Sequence, residues 1–383
     1  MASPRTILSR TFSLLPPTIA VCLAMVPLNA QIAPGAARFP TTPRAVVAIP
    51  APPTHAPAIA AGRVYLALDS GVVVAHRLSD GAEVWRVELA TEQPPVALGP
   101  FLLVTADGAV QALRGQDGSL SWRAETGVLS APLLAHEGWV IASSAQRLFA
   151  LRAEDGTVVW ARENPALAAR ATIEGDRVYA PLADGRVQAL ELRTGREVWT
   201  RRLGGAPTSV LAFADSVYVG SADQHFYSLD AARGTIRWRF RVGAALRGTP
   251  AADGRFVYTV SLDNLVRAYD RDHGAMTWNK GVPFRALAGP TVLGGAVLAA
   301  GPAAQVPIFD AATGTPQSPL VFDAPLVAPV ALAIDGQHRV LAAAVGSLES
   351  GWRLVLLDSS YAVPLAPLTA LPGELIALPA PGK

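Results

Sequence analysis

The stretch Val187-Gln188-Ala189-Leu190-Glu191-Leu192-Arg193-Thr194-Gly195-Arg196-Glu197-Val198-Trp199 decides the fold. Apolar and polar residues alternate through its first half, the period of a half-buried strand. Thr194-Gly195 then marks a tight turn, where glycine accepts the positive φ that such turns require. The same Val-Gln-Ala-Leu, glycine and tryptophan recur at the same spacing from Val110 to Trp122. Moving outward, Trp85, Trp122, Trp160, Trp199, Trp238 and Trp278 follow one another at intervals of 37, 38, 39, 39 and 40 residues. Each stands four residues after a glycine: Gly81, Gly118, Gly156, Gly195, Gly234 and Gly274. A period near 40 with one aromatic residue per unit is the mark of a radial repeat, most often a β-propeller.

Within each unit, Asp-Gly and Thr-Gly pairs separate runs of five or six alternating residues, so each unit reads as a meander of short antiparallel strands. Proline marks the start of many units: Pro57, Pro95, Pro132, Pro250, Pro290 and Pro329. Eight units can be counted. The seventh keeps Phe309 to Gly314 but has Ser318 where tryptophan is due. The eighth runs from about Pro329 to Asp358, with an extra loop at Ser347 to Gly351 and no Thr-Gly turn after it. The expected fold is therefore all-β, an eight-bladed propeller of four-stranded antiparallel blades over residues 58–362. The missing closing strand is assigned to Arg44 to Ile49, which would tie the chain ends together and remove open sheet edges.

The recurrent tryptophans and glycines are read as structural. An indole placed just after a turn can wedge between neighbouring sheets. Burying about 200 Å² at about 25 cal/mol/Å² gives up to roughly 5 kcal/mol per ring before entropy costs. The glycines are assigned to backbone geometry.

Composition narrows the function. Hydrophobic residues make up 51% of the 383 residues and charged residues 16%. The 32 basic and 30 acidic residues become 30 and 30 once Arg5 and Arg10 in the first 30 residues are set aside. Such a neutral chain offers no phosphate-binding field, so nucleic acid is not an expected partner.

Residues 1–30 have the form of a secretory leader or anchor: Arg5 and Arg10, then an apolar run from Thr11 to Leu28, then Ala30 at a small-residue cut. A cleaved signal is the first expectation. An uncleaved span and lipidation at Cys22 are the alternatives, although Val21 is bulky for a lipoprotein cut. Membrane contact is expected only through an uncleaved or lipidated N-terminus. Cys22 is the single cysteine, so cleavage would leave no thiol chemistry. Residues 31–57 read as a Pro/Ala-rich linker that contributes the closing strand, and residues 363–383 as a Pro-rich tail.

No catalytic, cofactor or metal site emerges. His55, His76, His136, His225, His273 and His338 fall in different units with no ligand spacing. His76 and His225 are the two considered for the hub. Asp263-Asn264 occupies a hairpin turn. Arg237, Arg239 and Arg241 alternate on one strand face and form a candidate anionic-ligand patch. Glycines lie in hairpin turns rather than in a strand-to-helix nucleotide loop.

The phrase Val-Gln-Ala-Leu-(x)4-Gly-(x)3-Trp at 110–122 and 187–199, with Phe149 to Gly156 and Tyr227 to Gly234, resembles the pyrroloquinoline-quinone-type propeller repeat. The resemblance spans roughly residues 55–360 and implies one of two classes. Quinoprotein alcohol dehydrogenases hold a quinone under an adjacent cysteine pair, with Glu, Asn and Asp around Ca²⁺; here the cysteine pair is absent. The other class is the non-catalytic envelope propellers, the BamB-like family of outer-membrane protein assembly factors. That likeness implies a periplasmic or secreted scaffold without cofactor, holding a protein partner, such as a component of the β-barrel assembly machinery, on its blade-connecting loops. A small-ligand-binding or sensor propeller is a further alternative.

Overall fold

The computed structural model describes residues 39–335, 338–358 and 375–377. The leader, Cys22 and most of the C-terminal tail lie outside them. The described chain is all strand and turn, folded as eight antiparallel blades. Blades 1 to 7 span residues 58–88, 96–125, 134–163, 172–202, 207–241, 251–281 and 291–321, each four strands in sequence order from the hub outward.

Blade 8 is assembled differently. Its first three strands are Ala331–Asp335, His338–Ser347 and Gly351–Asp358, and its outermost strand is Thr42–Ile49, paired antiparallel with Gly351–Asp358. Ser347 to Gly351 is the tight end of a long hairpin, with Ser347 opposite Gly351. The expectation of an extra loop there is corrected: the flanking strands are simply longer, at ten and eight residues. A fifth strand, Leu375–Ala377, pairs parallel with the innermost strand Ala331–Asp335. The segment read as a Pro-rich tail therefore adds a strand at the hub.

The core is distributed. Eight clusters of buried apolar side chains form, each shared between two successive blades. The cluster of Ile49, Ile59, Leu66, Ala342 and Leu356 joins blade 8 to blade 1 and closes the ring. Burial on both faces explains why the middle strands read as nearly continuous apolar runs: Val340 to Val345 is wholly buried.

One buried position breaks the pattern. Leu113, Leu151, Leu190 and Leu229 occupy equivalent sites opposite the bulge of the outermost strand, and blade 1 places His76 there. Its Nδ1 lies 2.9 Å from the Gly81 carbonyl oxygen, so Nδ1 carries the proton and donates, while buried Nε2 has no partner. Burial pushes the imidazole below its ordinary 6.5, outweighing the Gly81 bond and nearby Glu83, which favour the charged form. An unfolded chain therefore takes up a proton that the folded one refuses. Stability is lost as pH falls through 6.5 toward the lower folded value. We predict that His76→Leu narrows the drop in melting temperature between pH 7 and pH 5. An unchanged drop would assign it elsewhere. His55, also depressed by burial, leaves a residual slope of the same sign.

Candidate functional site

The tryptophan and glycine positions meet across blade boundaries. Each indole N–H donates to a turn carbonyl of the next blade: Trp85 to Gly115 at 2.8 Å, Trp122 to Ala153 at 2.9 Å, Trp160 to Leu192 at 2.8 Å. Trp199 donates to Ala231 at 3.0 Å, Trp238 to Arg271 at 2.8 Å and Trp278 to Ala311 at 2.9 Å. Each ring lies on the turn glycine of that next blade: Trp85 on Gly118, Trp122 on Gly156, Trp160 on Gly195, Trp199 on Gly234, Trp238 on Gly274 and Trp278 on Gly314. A Cβ on Gly195 would stand 2.7 Å from the Trp160 ring. These glycines thus have two reasons to be glycine, a positive φ and an indole seated where a side chain would be. Only the first was read from the sequence. Gly81 follows blade 8 and meets Val47 of the closing strand instead of an indole.

Sequence reasoning also missed a tyrosine. Tyr65, Tyr179, Tyr218 and Tyr258 each stand 20 residues before a repeat tryptophan. All are buried, with ring centroids 5.8–5.9 Å from Trp85, Trp199, Trp238 and Trp278. The Tyr179 hydroxyl donates to the Ala231 carbonyl that also receives the Trp199 N–H, whereas the Tyr258 hydroxyl donates to Asp253 Oδ2 at 2.6 Å and lies 3.1 Å from the Ala311 oxygen that receives the Trp278 N–H. The Ala231 oxygen also accepts from the Arg177 guanidinium at 2.9 Å.

The innermost strands frame a cavity of about 580 Å³ at one end of the hub, lined by segments of all eight blades. This size suits a small molecule. Pro57, Pro95, Pro132 and Pro329, noted as unit starts, lie in its wall. Its ionisable lining residues are His55, Arg170 and Arg247, and among the described lining residues there is no Asp, Glu, Asn or Cys. A quinone with Ca²⁺ needs oxygen ligands for the cation. The arginines suit an anionic ligand, but the wall supplies no carboxylate or side-chain amide, so these residues do not fit that pair.

The remaining sequence candidates disperse. Of the two histidines considered for the hub, His76 is buried inside blade 1, and His225 sits on a hairpin turn with Nδ1 3.0 Å from the Asp223 carbonyl oxygen. His55 is the one that reaches the cavity. Asp263 is held by Arg267, and Asn264 adopts a positive φ of 60° in the same turn. Asp270, Asp272 and His273 come together, but Asp270 Oδ1 already accepts the backbone N–H of both neighbours at 3.0 Å. The Arg237–Arg241 face divides: Arg237 pairs with Asp215 at 2.6 Å and Asp230 at 2.9 Å, whereas Arg239 and Arg241 are exposed.

Eight blades, six of them riveted by tryptophan, around a cation-flanked hub define the class: a pyrroloquinoline-quinone-type repeat propeller. The family model described as outer membrane protein assembly factor BamB matches residues 69–212 and 183–328, and the chain belongs to that family. Among solved structures it is similar to BamB from Moraxella catarrhalis, at 20% identity and a TM-score of 0.64, covering 83% of this chain and 99% of that one. It is similar to Sqt1 from Saccharomyces cerevisiae at 11% identity, TM-score 0.70, covering 84% and 99%. A quinohemoprotein alcohol dehydrogenase from Comamonas testosteroni is similar at 12% identity, TM-score 0.64, covering 86% and 80%. At these identities the likeness carries the fold alone. No curated protein matches the chain in sequence.

Proposed function

We propose that the protein is a non-catalytic scaffold of the bacterial cell envelope, which holds a protein partner on its blade-connecting loops during outer-membrane protein assembly. The observation that carries this reading is the family match across residues 69–212 and 183–328. The cavity wall supports it, because its described lining residues include no carboxylate or side-chain amide to hold the cation of a quinone site. Affinity capture from envelope extract tests it. Retention of a β-barrel assembly component is expected, and retention of none overturns the assembly role. Periplasmic location rests on the leader, and the reading expects a mature N-terminus at Gln31, checked by intact mass.

A dehydrogenase is the second reading, favoured by the similarity to quinohemoprotein alcohol dehydrogenases. We expect no turnover above background when the chain is given the quinone, Ca²⁺, an alcohol and an artificial electron acceptor. Sustained turnover would reverse the choice.

A further inference from the structure

Pseudo-eightfold repeats allow equivalent positions to be compared around the ring. The last residue of the outermost strand lies opposite the first residue of the third strand in blades 1 to 7. The pairs are Val72 with Glu88, Ala109 with Glu125, Arg147 with Glu163, Arg186 with Arg202, His225 with Arg241, Leu265 with Gly281 and Gln305 with Val321. The outer member of every pair is exposed. One ring position therefore reads acid on blades 1 to 3, arginine on blades 4 and 5, and small or apolar on blades 6 and 7.

The basic sector is costly to the fold. Like charges directly opposite on paired strands are destabilising. Blade 4 nevertheless sets Arg202 against Arg186. Asp184 pairs with Arg186 at 2.6 Å, and Asp223 lies beside His225. Arg202, Arg239 and Arg241 form no ion pair with a described carboxylate.

We propose that the outer ends of blades 4 and 5 are the docking surface for an acidic polypeptide segment of the scaffold's partner, held by Arg202, Arg239 and Arg241. This rests on the scaffold reading and adds where, and by what chemistry, the partner is held. Charge complementarity selects the segment. A long polyanion such as nucleic acid is disfavoured, because Glu88, Glu125 and Glu163 occupy the same position on neighbouring blades. The same position also disfavours docking on blades 1 to 3, where glutamate stands, and on blades 6 and 7, where Gly281 and Val321 stand.

The test uses the full chain and a fluorescein-labelled Glu-rich peptide, followed by anisotropy. Arg202→Glu with Arg241→Glu is expected to weaken binding at least about tenfold, which corresponds to about 1.4 kcal/mol. Glu88→Gln with Glu125→Gln is expected to leave it within about twofold, a few tenths of a kcal/mol. A second readout moves the other way: Arg202→Glu turns the pair with Arg186 into a complementary one, so the variant should melt no lower than the parent. Equal effects from both double variants, or no effect from the first, would overturn the proposal. So would stronger binding of single-stranded DNA or phosphatidylglycerol vesicles than of the peptide. If Arg202→Glu with Arg241→Glu fails to fold, Arg202→Gln with Arg241→Gln carries the same comparison. Capture from envelope extract is independent of this titration, so failure of the scaffold role and failure of this surface are separately visible.

Discussion

Trp238→Ala is expected to destabilise the protein by about 3–5 kcal/mol, the range for deleting a large buried aromatic side chain. Trp238 is 8% exposed and sits in the cluster that blades 5 and 6 share. Its ring lies 5.9 Å from Tyr218, 5.6 Å from Phe226 and 6.4 Å from Tyr269, and its N–H is satisfied by Arg271 O. Truncation removes apolar burial, several aromatic contacts and the hydrogen bond that registers blade 5 on blade 6. Gly274 supplies the internal control. An added Cβ there would overlap the Trp238 ring, and the residue also holds a φ of +70°. Gly274→Ala should therefore be severe in the parent. In the Trp238→Ala background only the backbone cost of about 1–2 kcal/mol should remain. Urea unfolding of the four chains measures the coupling. Strict additivity would mean that indole and glycine do not act as one joint.

Removing residues 42–49 is the second large effect, and loss of a single cooperative unfolding transition is expected. Thr42–Ile49 is the only described strand on the outer edge of Gly351–Asp358, and without it that edge lies bare. Arg44 focuses the closure. Its guanidinium reaches Asp335 at 2.6 Å, Asp358 at 2.9 Å and the Leu78 carbonyl at 3.3 Å, linking two strands of blade 8 to blade 1. The Arg44 side chain is 14% exposed, and its partners are 33% and 22% exposed. Arg44→Met should then cost about 1–3 kcal/mol, between the values for surface and fully buried pairs. Thermal melts followed by circular dichroism, with size-exclusion chromatography, check both variants. A truncated chain that melts at the parent's midpoint in one step would show that the ring closes without this strand.

The propeller was legible because its signals are local. A glycine four residues before a tryptophan, repeated at one period, encodes both a turn and a blade boundary. The hub cavity was not legible: its wall draws on eight short segments between Thr54 and Leu332, with no spacing that links His55, Arg170 and Arg247. Tyr65, Tyr179, Tyr218 and Tyr258 carried a signal that could have been used, the constant offset of 20 from tryptophan. Leu375–Ala377 carried almost none, since a strand of three residues is too short to show a period. The charge gradient along the outer ends was hidden for another reason. It becomes visible only when strand register identifies which residues of different blades are equivalent.

The pairing of Thr42 with Asp358 also orders events in time. Thr42–Ile49 is the first of the described strands to be synthesised, and it waits for a partner made more than 300 residues later. Contacts of such separation form slowly, because a long loop must close before any of them is gained. Blades 1 to 7 can each begin as local meanders, whereas the final seam cannot exist until the last blade has emerged. A nascent chain of this design stays open until it is nearly whole, and its vulnerability to proteases and self-association falls in that interval.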